Sequence, residues 1–258
     1  MKSTVKNVDR LPPFFISSIP KSGTHLLRQI IFGMPHIKHK NTDLVLYEGR
    51  IEHHKDHFNK LRQLKPNEFL VGHIYYSQKW ANMLQRLGMK HIFISRDLRD
   101  VIVSLHYYIL AHLPNHPLYG YFKRASTTRK ERYMALIKGM DEYNYPNINQ
   151  YFNEFKGWLE DPDTLTVTYE ELMISQNSRR NAISKIANYL WKDLQPSTPI
   201  ANTIKEMERS INPGKSPTFR KGQIGNWREE FDEDIKQAFK HVAGDILIQQ
   251  GYEKDDRW

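Results

Sequence analysis

Four short stretches of this sequence hold residues equipped to grip or act on an anion. The first is Ile19-Pro20-Lys21-Ser22-Gly23-Thr24-His25-Leu26-Leu27, a cation, two hydroxyls and a glycine ahead of an amphipathic run. A small-residue loop leading from a strand into a helix offers backbone N–H groups and the positive helix end to an anion. A plain strand-to-helix turn capped by Ser22 or Thr24 is the competing reading. It is not the nucleotide-triphosphatase loop G-x-x-x-x-G-K-[ST], because Lys21 precedes Gly23 and the loop is shorter. The second stretch is Gly72-His73-Ile74-Tyr75, where His73 is either a general base or a structural histidine. The third runs from Ser95 to Ser104. In it Arg96 and Ser104 could clamp a phosphomonoester, with Asp97 capping the helix between them, or Arg96 and Asp100 could form a surface pair. The fourth, Ser216 to Trp227, contains Arg220, Lys221 and Gly222: a solvated charge pair, or cations beside a glycine that lets backbone approach a ligand. Taken together the four call for an anion more strongly than any does alone.

These stretches must be positioned by something. Runs rich in β-branched and aromatic residues predict buried strands at Phe14–Ile19, Phe69–Ile74, His91–Ser95 and Leu165–Tyr169. Helical periodicity follows at His25–Phe32, Gln78–Leu87, Leu98–Leu113, Arg129–Phe155, Ser178–Leu190, Ile200–Arg209 and Asp232–Gln249. Strands alternating with helices predict an α/β fold with a central parallel sheet flanked by helices. Ligands bind at the carboxyl ends of strands in such sheets, which is where the first three stretches fall. With no repeat or long linker, residues 1–258 read as one domain with a flexible segment at Met1–Pro12.

Composition narrows the chemistry further. The chain has 258 residues and no cysteine, which rules out thiol nucleophiles, iron–sulfur clusters and thiolate zinc sites. With 38 Lys plus Arg against 29 Asp plus Glu, the net charge is +9, which suits a nucleic acid, an acidic membrane surface or a phosphorylated small molecule. No run approaches the roughly 18 apolar residues of a membrane span and no signal peptide is evident, so a cytoplasmic location without membrane association is expected. His53 and His57 could share a helix face, but Lys55 intrudes and no third metal ligand stands out, so no metal is expected.

The motifs resemble those of the sulfotransferases that use 3′-phosphoadenosine 5′-phosphosulfate (PAPS). Pro20 to Thr24 is similar to that family's Pro-Lys-Ser-Gly-Thr signature, and Arg96, Asp100 and Ser104 to its Arg-x-x-x-Asp-x-x-x-Ser. Arg220 to Trp227 is similar to its Arg-Lys-Gly-x-x-Gly-[Asp/Asn]-Trp, and Tyr169-Glu170-Glu171 to its Tyr-Glu-[Asp/Glu]. The resemblance implies a P-loop-like sulfotransferase fold and metal-free transfer. Lys21, Ser22, Gly23, Thr24 and His25 would hold the 5′-phosphosulfate, and Arg96, Ser104, Arg220, Lys221 and Gly222 the 3′-phosphate. Tyr169 would contact adenine, and His73 would be the base that deprotonates a hydroxyl or amine of a small-molecule acceptor. The product from the donor would be 3′,5′-adenosine bisphosphate (PAP).

Departures from the animal pattern place the chain nearer to bacterial small-molecule sulfotransferases of secondary metabolism. Leu26 stands where an aromatic stacks on adenine, Val71 where a lysine is common, and Thr218 where an aromatic is common, with Phe219 next to it. The acceptor should be held by the segments between the motifs, where Tyr, His and Asn abound and Asp43, Glu48 and Glu52 suit a cation. A polar or cationic molecule such as a guanidinium alkaloid is the favoured class. The competing functions are a P-loop-like small-molecule kinase and a basic nucleic-acid-binding protein, although the latter's motifs are absent.

Overall fold

The structure, a computed structural model, describes residues 10–40, 54–216 and 220–258. Its strands are β1 Phe14–Ser18, β2 Lys38–His39, β3 Glu68–Gly72, β4 Lys90–Ser95 and β5 Thr164–Thr168. The helices are α1 Thr24–Phe32, α2 His54–Leu61, α3 Gln78–Arg86, α4 Leu98–His112, α5 Tyr119–Lys123 and α6 Arg129–Lys138. They continue as α7 Ile148–Glu160, α8 Tyr169–Met173, α9 Gln176–Leu190, α10 Ile200–Arg209, α11 Trp227–Glu230 and α12 Glu233–Gln249. The described residues group into two compact units, one drawn from Met1–Ser95 and Phe155–Phe219, the other from Arg96–Glu154 and Arg220–Trp258.

The first unit is built on a parallel sheet in the order β2-β3-β1-β4-β5. β1 lies at its centre, with Ile16 level with Val71 on one side and Ile92 on the other. Every residue of β1 is buried, as a strand covered on both faces requires. On one face Phe14 and Ile16 pack with Leu27 and Ile30 of α1 and with Ile183 and Ile186 of α9. On the other, Phe15 stacks on Trp80 and His91, and His91 meets Trp158. The four strands read from sequence are all present. β2 adds a two-residue edge that carries too little pattern to be read. Of the N-terminal segment expected to be flexible, residues 1–9 lie outside the described residues. Leu11 is buried; its N–H donates to the Asn67 side-chain Oδ1 and its carbonyl accepts from the Asn67 N–H.

In the second unit Asp97 caps α4, its side chain accepting from the Arg99 N–H. The helix expected over Arg129–Phe155 is in fact two. α6 ends at Gly139, whose φ of +76° suits glycine, and a β-carbon there would lie 2.7 Å from the Asn147 nitrogen. A Met140–Tyr145 bridge and Pro146 carry the chain to α7, because proline cannot follow a helical residue without strain. Arg99, only 1% exposed, lies in the same unit against the rings of both Trp227 and Trp258, which meet edge to face, and pairs with Asp97 and Glu253.

Candidate active site

The loop after β1 turns tightly, with the Ser22 N–H donating to the Ile19 carbonyl at 3.1 Å. Lys21 takes a left-handed φ of +72°, a conformation that costs a non-glycine residue about 1 kcal/mol or more. Gly23 follows at φ +100° and is the residue before α1, whose N-terminus no side chain caps. A β-carbon at Gly23 would come within 2.6 Å of the Tyr169 ring, so Tyr169, buried at the start of α8, lies directly against the loop backbone. Ser22 is fully buried and its Oγ has no hydrogen-bond partner. An uncapped helix end beside an unsatisfied hydroxyl and a lysine fits an anionic group such as the phosphosulfate of PAPS.

His73 follows β3. Its Nδ1 lies 2.8 Å from Ser18 Oγ and 3.1 Å from the Ser18 carbonyl oxygen, and Ser18 Oγ lies 2.7 Å from Thr24 Oγ1. A carbonyl only accepts, so the network assigns the proton to Nδ1 and leaves the lone pair on Nε2. Burial pushes the His73 pKa down to about 4, with Lys21 and His25 adding to the fall and the Ser18 carbonyl opposing it. The ring is therefore neutral at pH 7 and able to take a proton. His25, at the start of α1, is likewise lowered by burial, then by Arg28 and Lys21. Leu26 packs against the apolar core, so it offers no ring for a base to stack on.

The second unit holds the other predicted residues. Arg96 donates to the Asp100 carboxylate at 3.2 Å and to the Gln223 carbonyl at 2.9 Å. The Arg96–Asp100 pair is not on the surface, as the alternative reading had it: the Asp100 side chain is 0% exposed. Its two oxygens accept from the N–H groups of Gly225 at 2.8 Å and Trp227 at 3.1 Å, fastening the Arg220–Trp227 segment to α4. Gly222 sits at φ +63°, Lys221 pairs with Glu229 at 2.9 Å, and the Arg220 guanidinium lies 4.3 Å from the Tyr107 ring centre. Ser104 stands half-buried on α4, one turn before Tyr107.

Lys21, Ser22, Gly23, Thr24, His25, His73 and Tyr169 thus fall in the first unit, at the carboxyl ends of β1, β3 and β5. Arg96, Ser104, Arg220, Lys221 and Gly222 fall in the second. Sequence reading gave no role to Ser18, and it placed Asp100 in the Arg96 motif or in a surface pair without its bonds to the Gly225 and Trp227 N–H groups. Ser18 had a signal, since two serines inside a buried apolar strand must find partners. Among the described residues no three His, Asp or Glu side chains are grouped to hold a metal ion, and His57 stacks on Trp80. Glu52, His53, Asp43, Glu48, Thr218 and Phe219 lie outside the described residues.

The family model for the sulfotransferase domain matches residues 11–251. The chain belongs to the sulfotransferase family. Curated relatives include sulfotransferase 1E1 of Cavia porcellus, 23% identical over 88% of this chain and 80% of its own length. Sulfotransferase 1E1 of Mus musculus is 22% identical over 87% and 79%. Among solved structures, mouse sulfotransferase SULT7A1 complexed with PAP superposes with a TM-score of 0.64 at 19% identity, covering 94% of this chain and 85% of that one. Retinol dehydratase, in complex with androsterone and the inactive cofactor PAP, gives 0.61 at 17% identity over 92% and 80%. These likenesses establish the α/β sulfotransferase fold. Family membership makes the chain a PAPS-dependent sulfotransferase, acting on a small-molecule acceptor. No helix among the described residues is long and apolar enough to cross a membrane.

Proposed function

We propose that this sulfotransferase transfers the sulfuryl group to a hydroxyl or amine of its acceptor with His73 as general base and Lys21 as the cation that stabilises the leaving group. The donor supplies sulfur already bonded to a good leaving oxygen, so the chain's task is positioning and charge neutralisation. His73 Nε2 takes the acceptor's proton as the acceptor atom bonds to sulfur. The Lys21 ammonium offsets the negative charge that collects on the departing phosphate oxygen as the sulfur–oxygen bond breaks. Ser22, Gly23, Thr24 and His25 hold the 5′ end, Arg96, Ser104, Arg220, Lys221 and Gly222 hold the 3′-phosphate, and Tyr169 contacts adenine.

The observation that carries this reading is the Nδ1 hydrogen bond of His73 to the Ser18 carbonyl, which leaves Nε2 as the basic atom. For the acceptor, the tyrosines of the intervening segments, Tyr75, Tyr76, Tyr108 and Tyr121, support a flat polar or cationic molecule of the guanidinium-alkaloid kind. The test is transfer from PAPS across a panel of neutral and cationic acceptors by wild type, Lys21→Ala and His73→Ala, with circular dichroism to check folding. Loss of transfer in both folded variants supports the assignment. Intact transfer in either overturns that residue's role.

A further inference from the structure

The second unit contains a polar cluster that the proposed mechanism does not use. Glu230, with its side chain 8% exposed, accepts from the Tyr107 hydroxyl at 2.7 Å and from the Tyr133 hydroxyl at 2.9 Å, and pairs with Arg129 at 3.3 Å. Above the ring of Tyr107 lies the guanidinium of Arg220, 4.3 Å from the centroid.

We propose that Tyr107 and Glu230 are positioning residues for Arg220, forming a platform that presets its guanidinium to receive a phosphomonoester; this rests on the reading that Arg220 binds the donor's 3′-phosphate. An arginine left in solvent gives up its rotamer freedom when a ligand fixes it. A guanidinium stacked on an aromatic face has lost much of that freedom beforehand. A guanidinium held over a ring face keeps its planar fork of N–H donors, which a phosphate's oxygens match. Glu230 acts through the ring: by accepting from the Tyr107 hydroxyl it fixes the ring's orientation, and its own oxygens are taken by the two phenols and Arg129. Burial raises the Glu230 pKa, but the hydrogen bonds from Tyr107 and Tyr133 and the charges of Arg129 and Arg220 outweigh it, so the group stays ionised at neutral pH. Ser104, one turn from Tyr107 on α4, shares that helix face. His106 closes the wall, 4.7 Å from the rings of both Tyr107 and Tyr133, and is kept neutral by burial, so it adds no competing cation.

The test is calorimetric binding of PAP and of adenosine 5′-monophosphate, which lacks the 3′-phosphate, to wild type, Arg220→Ala, Tyr107→Leu, Tyr107→Phe and the Arg220→Ala/Tyr107→Leu double variant. Cation–π contacts of this kind imply that Tyr107→Leu cuts the preference for PAP about three- to tenfold while the monophosphate binds as before. Tyr107→Phe, which keeps the ring, should lose less than about threefold, and Tyr107→Leu should add nothing once Arg220 is alanine. If Arg220→Ala loses the preference but Tyr107→Leu keeps it, the platform is wrong and the 3′-phosphate reading stands. An equal loss for both ligands in Tyr107→Leu also overturns the platform, since it marks a merely structural residue. If Arg220→Ala keeps the preference, the assignment of Arg220 itself fails, and the platform with it.

Discussion

His73 Nδ1 stands 3.1 Å from the carbonyl oxygen of Ser18, and the Ser18 hydroxyl reaches Thr24 at the first position of α1. One residue at the end of β1 therefore both fixes the tautomer of the proposed base and touches the loop proposed to face the donor. Ser18→Ala removes the hydroxyl link and keeps the carbonyl, so transfer should fall about tenfold, against the 10²- to 10⁴-fold loss typical of deleting a general base in His73→Ala. Steady-state kcat of the two variants checks this, and equal losses would show that the hydroxyl, not the carbonyl, sets the tautomer.

With His73 as the proposed base, its lowered pKa sets the acid limb of the pH profile. Because burial holds it near 4, the base remains unprotonated down to about pH 5, and kcat/KM should decline only as pH approaches 4. An acid limb centred near 6.5 would mean that the ring is solvated as in a free peptide.

Stability should respond to acid over a different window. His91 is held down to about 3, and His73, His106 and His116 to about 4, burial being the first cause in each. All four are neutral in the folded chain at pH 5, whereas in the unfolded chain they titrate near 6.5. The unfolded state binds more protons between about pH 4 and 6.5, so stability is full above that range and is lost as pH falls through it. Urea midpoints at pH 7.5 and 5 should differ, with the lower value at pH 5; identical midpoints would contradict the burial of these rings.

Asp100 receives two backbone N–H groups and the Arg96 side chain with no exposure to solvent. Asp100→Asn removes the charge and turns one acceptor oxygen into a donor facing other donors, a loss of about 3 kcal/mol. At this chain size that lowers Tm by roughly 6–10 °C, measurable by calorimetry. PAP affinity should fall with it, because the Arg220–Trp227 segment loses its anchor.

Gly23 carries the closest approach in the loop after β1. Gly23→Ala places a methyl 2.6 Å from Tyr169 Cδ2 at a φ that alanine disfavours, costing about 2 kcal/mol and displacing either the loop or the ring. PAP binding should weaken at least tenfold; unchanged affinity would show that Tyr169 is not pressed on the loop in solution.

Much of this was legible in the residues themselves. Strands such as Phe14-Phe15-Ile16 announce themselves by composition, and Lys21, Gly23, Arg96 and Arg220 by local motifs in which residue type and spacing carry the chemistry. What escaped depends on partners far along the chain. Ser18 acquires its role from His73, 55 residues away, and Asp100 from Gly225, 125 residues away. The break at Gly139 escaped because the apolar spacing runs on through Ile148 and Phe155, although the backbone between them must turn. Tyr107 reads as an ordinary helix residue, and Glu230 falls outside every predicted element, until the fold lets the Tyr107 hydroxyl donate to the Glu230 carboxylate.

The most direct test of a 3′-phosphate-reading sulfuryl transferase is a side-by-side calorimetric titration of the wild-type chain with PAP and with ADP, two adenosine nucleotides carrying two phosphates each, one with a separate 3′-phosphate and the other with a 5′-pyrophosphate. Binding of PAP at least tenfold tighter than ADP, without added divalent metal, is the expected result. Equal affinities, or a preference for ADP, would contradict it and favour a kinase-like use of the same loop.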